Sequence, residues 1–203
     1  MTASAWLSLL AICVLGAISP GPTLAAVMKS TVQGSKAHGL ATAVAHAVAV
    51  GIYAFSVAAG IGVVITESPA LFKGVTWSGA AYLVWLGIKS IRSQASLLNG
   101  TNFSSSLTLK QAAIDGFLVA FLNPKIAVFL LALFSQFVTP QTTLTTQTLM
   151  ALMATLCDGI WYCTVASVAG HDKVLPFLRK KAALINRLCG GLLILVALRI
   201  LII

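Results

Sequence analysis

Long apolar runs alternate with short polar stretches along the chain. The runs cover about residues 4–28, 39–66, 70–91, 111–138, 146–169 and 188–203. A helix needs about 20 mostly apolar residues to cross a bilayer. The pattern therefore predicts an all-α integral membrane protein with roughly six transmembrane helices in one domain over residues 1–203. Residues 92–110 form the longest polar break and are the expected linker between two halves, 1–91 and 111–203.

Short proline motifs interrupt two of these runs. They are Ser19-Pro20-Gly21-Pro22 in the first run and Asn123-Pro124-Lys125 in the fourth. Proline lacks the backbone N–H and clashes with the carbonyl of the preceding turn, so both helices are predicted to break. Exposed backbone inside a bilayer costs several kcal/mol per group unless protein or water satisfies it. The breaks therefore indicate a binding site, with simple kinks as the alternative.

A weak repeat relates the two halves. Residues 16–27 (GAISPGPTLAAV) match residues 119–130 (VAFLNPKIAVFL), and residues 51–53 match residues 159–161. With three spans in each half, the second copy would enter the membrane from the opposite side. Such inverted repeats are typical of secondary transporters, whose sites form where broken helices meet near the midplane. Chance similarity between apolar segments is the alternative.

Composition and charge agree with a membrane protein. Hydrophobic residues make up 59% of the chain and charged residues 8%, with a mean hydropathy of +0.99; soluble domains are about one quarter charged. Ten of the 13 Lys and Arg residues lie in the loops after the first, third and fifth runs. The positive-inside rule places these loops in the cytoplasm and both termini outside. The net charge of +9 then indicates contact with anionic lipid on the cytoplasmic side rather than with nucleic acid.

The first apolar run and the basic stretch at residues 171–187 each allow a more specific prediction. The first run has no Lys or Arg before it, so it is predicted to be a retained span rather than a signal peptide. Residues 171–187 combine five basic residues with spaced apolar ones, which predicts a helix on the membrane surface.

Three ionisable residues that lie well inside the runs are candidates for a site. Lys125 is near the middle of the fourth, where a charge costs at least about 2.5 to 3.5 kcal/mol, so it is expected to face protein or water. It is a candidate for binding a substrate carboxylate or for coupling, with a structural ion pair as the alternative. Asp158, in the fifth run, is its best candidate partner and could carry protons or bind a substrate amine. His46 could accept a proton or simply pack between helices.

No motif favours an enzyme. The chain has no glycine-rich phosphate loop and no cluster of His and carboxylate residues that would predict a metal site. Its four cysteines are scattered through apolar segments and are interpreted as small buried hydrophobes. No cofactor or metal is expected.

Several motifs together resemble a known family. In order they are Pro20-Gly21-Pro22, the run GAAYLVWLG at residues 79–87, Asn123-Pro124-Lys125 and Asp158. Across essentially the whole chain they are similar to the LysE/RhtB family of bacterial amino-acid exporters. The resemblance implies a homodimeric exporter of amino acids or related zwitterionic metabolites in the bacterial inner membrane, driven by the proton motive force. The chain departs from the family where alanines replace glycines early in the second run, at residues 43, 45, 47 and 49.

The sequence thus predicts a secondary active exporter that works by proton antiport, with the two broken helices, Asp158 and His46 forming its site. Two alternatives come from other classes. One is a passive channel for a small solute or ion, and the other is a membrane scaffold that transports nothing.

Overall fold

The computed structural model describes residues 1–19, 21–92 and 107–169, with scattered positions between residues 184 and 198. The helices in the three continuous ranges are α1 (Ala3–Ile18), α2 (Pro22–Gln33), α3 (Lys36–Glu67), α4 (Pro69–Arg92), α5 (Leu109–Phe121), α6 (Pro124–Phe134) and α7 (Leu144–Val168). All regular structure in the described residues is helical, which confirms the all-helical class. Most of the predicted surface helix at residues 171–187, of the linker and of the last run lies outside the described residues.

Both proline motifs break a helix where the sequence predicts it. The bend between α1 and α2 is 56°, and the bend between α5 and α6 is 52°. Pro22 and Pro124 each occupy the first turn of the helix that follows the break. The first N–H groups of a helix have no partner within it, so a proline there loses no hydrogen bond. The prolines therefore start new helices instead of kinking old ones.

Two helices are long and apolar enough to cross a membrane by themselves. They are α3 over Lys36–Ile61 and α7 over Leu144–Val168. If each bent pair is one span, the described residues hold up to four candidate spans. Helix α4, which covers the third predicted run, falls outside this set. The total of six spans and the inverted repeat stay predictions.

Helix α3 lies at the centre of the bundle. It packs against α2, α4, α5, α6 and α7, and α7 also packs against α1 and α2. One buried cluster, which includes Leu9, Phe134 and Met150, joins α1, α6 and α7. A second, which includes Val27 and Ala166, joins α2 to α7. The two broken pairs are thus held in place by two long continuous helices.

Small residues let α3 approach its neighbours closely. A Cβ atom on Gly116 of α5 would collide with the backbone of Thr42. At the same crossing, the Thr42 hydroxyl lies 3.0 Å from the carbonyl oxygen of Ala112. On the α7 side, a Cβ atom on Gly159 would lie 3.2 Å from that of Ala47. The alanine-rich start of α3 is therefore closely packed, as small residues allow in membrane helices.

Candidate binding site between the broken helices

A cavity opens beside the two helix breaks and contains about 530 Å³ of empty space, its open mouth included. Its walls come from α1, α3, α6, α7 and the first break. The residues that line it are Cys13, Gly16, Ala17, Ser19, Val50, Lys125, Ile126, Phe129, Leu130, Ala154 and Asp158. Mostly apolar walls with a few polar groups are typical of small-molecule sites.

Lys125 reaches from one break to the other. The Asn123 side chain accepts a hydrogen bond of 3.0 Å from the backbone N–H of Lys125, which caps the start of α6. The Lys125 Nζ atom then donates to the Ser19 hydroxyl at 3.0 Å. Nζ also lies 3.9 Å from where a Cβ atom on Gly21 would be. The ammonium group is therefore held where the first break meets the second.

The backbone adds to the positive character of this end of the cavity. Helices α2 and α6 both begin at the breaks, and a helix N-terminus carries a partial positive charge. The N-cap residue of α2 is Gly21, so no side chain at this position caps the first N–H groups of the helix. With the Lys125 ammonium beside it, this region favours an anionic group such as a carboxylate.

Asp158 brings a negative charge to the same cavity. Its side chain is 14% exposed, and its Oδ2 atom lies 2.7 Å from Nδ1 of His46. The histidine is 1% exposed. Its Nε2 atom lies 2.9 Å from the Thr23 hydroxyl. The imidazole ring also packs against the Tyr162 ring in a T-shaped arrangement, with 5.1 Å between ring centroids. A hydroxyl, an imidazole and a carboxylate thus form a chain from the buried side of α2 to the cavity wall.

This chain can hold the imidazole in either protonation state. A neutral ring that donates from Nδ1 to Asp158 needs a donor for Nε2, and a protonated ring needs an acceptor there. The Thr23 hydroxyl can act as either one. The arrangement therefore accommodates a proton on His46 without leaving a buried polar atom unsatisfied.

The structure adds a partner of Asp158 that the sequence did not favour. Lys125 was the best candidate, and the structure places His46 against the carboxylate. Lys125 donates to Ser19, and it and Asp158 line the same cavity. Their depths along the runs could be counted from the sequence, whereas the rotation of each helix could not.

The other predicted residues fall into two groups. Ser19, Gly21 and Asn123 surround the ammonium group of Lys125 or the start of its helix. Pro22 and Pro124 are exposed at the starts of their helices, so they act by breaking the backbone. Pro20 lies outside the described residues.

Two contacts of His46 were missed by sequence reasoning. Thr23 is the first polar side chain after the proline motif, and that position was the available signal. Tyr162 lies one helical turn after Asp158, on the same face of α7. No group of three or more His, Cys, Asp or Glu residues in the part of the chain that the structure describes could hold a metal ion.

Broken apolar helices around a charged cavity are typical of helical membrane proteins that bind small molecules. The profile of the LysE type translocator family matches residues 14–203. The chain therefore belongs to this family, which confirms the resemblance seen in its motifs. Because the family consists of translocators, the expectation that the chain is not an enzyme is also confirmed.

Individual relatives extend the comparison. The chain is 36% identical to an uncharacterized membrane protein of Vibrio cholerae over 66% of this chain and 65% of that protein. It is 28% identical to the homoserine/homoserine lactone efflux protein of Salmonella typhimurium over 97% of this chain and 95% of the relative. It is also 28% identical to the leucine efflux protein of an Enterobacter species, over 86% of this chain and 84% of the relative. No solved structure matches the chain.

Proposed function

We propose that this protein exports an amino acid or a related small zwitterion across the bacterial inner membrane in exchange for protons. Its family and the efflux proteins among its relatives support export of amino-acid-like solutes. The observation that carries the proposal is that Lys125 and Asp158 line one cavity. A zwitterion offers one carboxylate and one ammonium group, and the cavity offers one group of each opposite charge.

The carboxylate of the substrate binds at the Lys125 end. There it accepts hydrogen bonds from the ammonium group and from Ser19, which already bond to each other. Charge-assisted hydrogen bonds of this kind are about twice as strong as neutral ones. The ammonium group of the substrate binds at Asp158.

Coupling follows from competition for the Asp158 carboxylate. In the structure this carboxylate is paired with His46. A substrate ammonium that takes the carboxylate removes the group that stabilises a protonated imidazole, so the imidazole releases its proton. When the substrate leaves, Asp158 is again free to stabilise the protonated imidazole. Substrate and proton therefore occupy the site in turn, which is the requirement for antiport.

The membrane potential makes such an exchange worthwhile. One charge that moves through 100 mV supplies about 2.3 kcal/mol. Because about 1.4 kcal/mol corresponds to a tenfold ratio, one proton supports a solute gradient of about fifty-fold.

The proposal includes an arrangement in the membrane. The basic loops face the cytoplasm and its anionic lipids, and both termini lie outside, on the evidence of the charge distribution. The two similar bends at matching motifs support two inverted halves around one site. A homodimer, which the family resemblance implies, stays a prediction that crosslinking in native membranes can test.

Transport in reconstituted vesicles tests the function. Vesicles loaded with radiolabelled leucine should release the solute faster when a pH gradient is imposed. Asp158→Asn should abolish this acceleration. Asp115→Asn, which removes an exposed carboxylate of α5, is the matched control and should leave it intact. Efflux that ignores both the gradient and Asp158→Asn would remove the coupling claim.

The same vesicles separate a carrier from a channel. A carrier shows saturable counterflow, in which unlabelled solute on one side drives labelled solute across from the other. Conductance that does not saturate would favour a passive channel. If the protein is a scaffold, the vesicles should show no solute movement at all. Lys125→Ala should then leave its scaffolding function unchanged.

A further inference from the structure

We infer that Phe129 and Gly16 form a side-chain subsite that restricts the substrate to neutral zwitterions with a small or medium-sized apolar side chain. This inference rests on the proposed function and adds the substrate class. It is carried by the cavity wall next to the two charged groups rather than by the charged groups themselves.

Phe129 lies in the wall directly beyond Lys125. The two residues are four positions apart on α6, so they lie on the same face of the helix one turn apart. Both line the cavity. A substrate whose carboxylate binds Lys125 must therefore place part of its remaining atoms near the Phe129 ring.

Gly16 fixes where that ring lies. A Cβ atom at position 16 would come within 2.6 Å of Phe129 Cζ and 2.9 Å of Cε1. Atoms in real structures do not approach so closely, so the ring rests against the backbone of α1 in space that only glycine leaves open. Any side chain at position 16 must displace the ring.

The lining also indicates a side chain without charge. Among the described residues that form the wall, Asp158 is the one carboxylate and Lys125 the one cation. Both are assigned to the two ends of the zwitterion. A second charge on the substrate would meet Val50, Ala154 and Phe129, and an ionised group against apolar surface is strongly disfavoured. Basic and acidic amino acids are therefore excluded.

The size limit follows from the same wall. The Phe129 ring occupies volume that a longer substrate side chain would need. Phe129→Ala removes the ring, and one added or lost methylene in an apolar pocket changes discrimination by about 10- to 200-fold. The variant should therefore shift preference from smaller to larger side chains by about tenfold or more.

A substrate panel tests this subsite. Unlabelled alanine, valine, leucine, phenylalanine, lysine and glutamate compete with labelled leucine for counterflow in reconstituted vesicles. In the parent protein, apolar amino acids up to the size of leucine should compete, while phenylalanine, lysine and glutamate should not. Phe129→Ala should lower the concentration of phenylalanine that is needed for competition by about tenfold or more. Phe55→Ala, which removes an exposed ring of α3, is the matched control and should change no ranking.

A pair of variants tests the contact with Gly16 directly. Gly16→Ala alone should weaken competition by leucine, because the displaced ring has to move. The double variant Gly16→Ala with Phe129→Ala should recover it, since the clash is then gone. Such non-additivity is expected for residues in contact and not for distant, independent ones. Purified yield and melting temperature of each variant show whether the protein has folded.

The outcomes separate this inference from the proposed function. Counterflow with a ranking that Phe129→Ala leaves unchanged would overturn the subsite and leave the exporter intact. Strong competition by lysine in the parent protein would overturn the exclusion of charged side chains. Absence of counterflow with every probe would overturn the proposed function, and this inference with it.

Discussion

The Nδ1 atom of His46 lies 2.7 Å from Oδ2 of Asp158, and the same carboxylate lines the cavity that holds Lys125. A buried imidazole and an accessible cavity thus share one acidic group. The histidine lies on α3 and the aspartate on α7, the two long continuous helices. A ligand that binds Asp158 therefore changes the contact between α3 and α7, the two helices that hold the broken pairs.

Removing the imidazole should reduce both stability and coupling. His46→Ala removes the buried partner of Asp158 and one hydrogen bond of Thr23, and an unsatisfied buried polar group costs about 1 to 3 kcal/mol. We expect a lower melting temperature in detergent and efflux that no longer responds to a pH gradient. Combined with Asp158→Asn, the loss of stability should be smaller than the sum of the single losses, because the two residues are in contact. Additive losses would contradict the pair, and His38→Gln, in the first turn of α3, is the control.

Replacing the ammonium group should weaken binding of the substrate carboxylate. Lys125→Gln keeps a hydrogen-bond donor but removes the charge, and hydrogen bonds to charged groups contribute about 1.5 to 3 kcal/mol. We expect the half-saturating concentration of leucine to rise by about 10- to 100-fold. The methyl ester of leucine, which has no carboxylate, should inhibit the parent and the variant equally. Lys110→Gln, an exposed residue of α5, should behave like the parent, and an ester as sensitive as leucine would contradict the assignment.

The sequence was informative where chemistry is local and less so where it depends on packing. The breaks could be predicted because Pro22 and Pro124 act on their own backbone. The charged residues that line the cavity could be proposed because a charge inside an apolar run must face protein or water. The contact between His46 and Asp158 depends on the rotation of α3 against α7. Close contacts such as Gly51 against Thr155 set that rotation, and no pattern along the chain reports it.

The crossing of α3 and α5 should not tolerate a larger residue at position 116. A Cβ atom on Gly116 would collide with the backbone of Thr42, which cannot move without shifting the helix. We expect Gly116→Ala to cost about 1 to 3 kcal/mol of stability, as overpacking does. Gly60→Ala is the matched control on α3, since nothing lies within 4 Å of a Cβ atom there. Thermal unfolding in detergent should therefore show a lower melting temperature for the first variant alone, and equal values would contradict the close approach.

Two helix caps should differ in their effect on transport. Asn123 caps α6, whose second residue is Lys125, and Thr108 caps α5. Replacing either residue with alanine should cost about 0.5 to 2 kcal/mol. Only Asn123→Ala frees the backbone that positions Lys125, so only this variant should raise the half-saturating concentration of leucine. If Thr108→Ala changed transport as much, the effect would be one of general stability.

The proposed orientation can be tested at two loops that should lie on opposite sides of the membrane. Ser35 is exposed between α2 and α3, and Gln141 is exposed between α6 and α7. Each is changed to cysteine in a chain whose four native cysteines have been replaced by alanine. A maleimide that cannot cross membranes should label Gln141→Cys in intact spheroplasts and Ser35→Cys only after permeabilisation, because basic loops stay in the cytoplasm. The reverse pattern would show that the protein has the opposite orientation in the membrane. Labelling of both sites from outside would show that α3 through α6 do not cross the membrane as proposed.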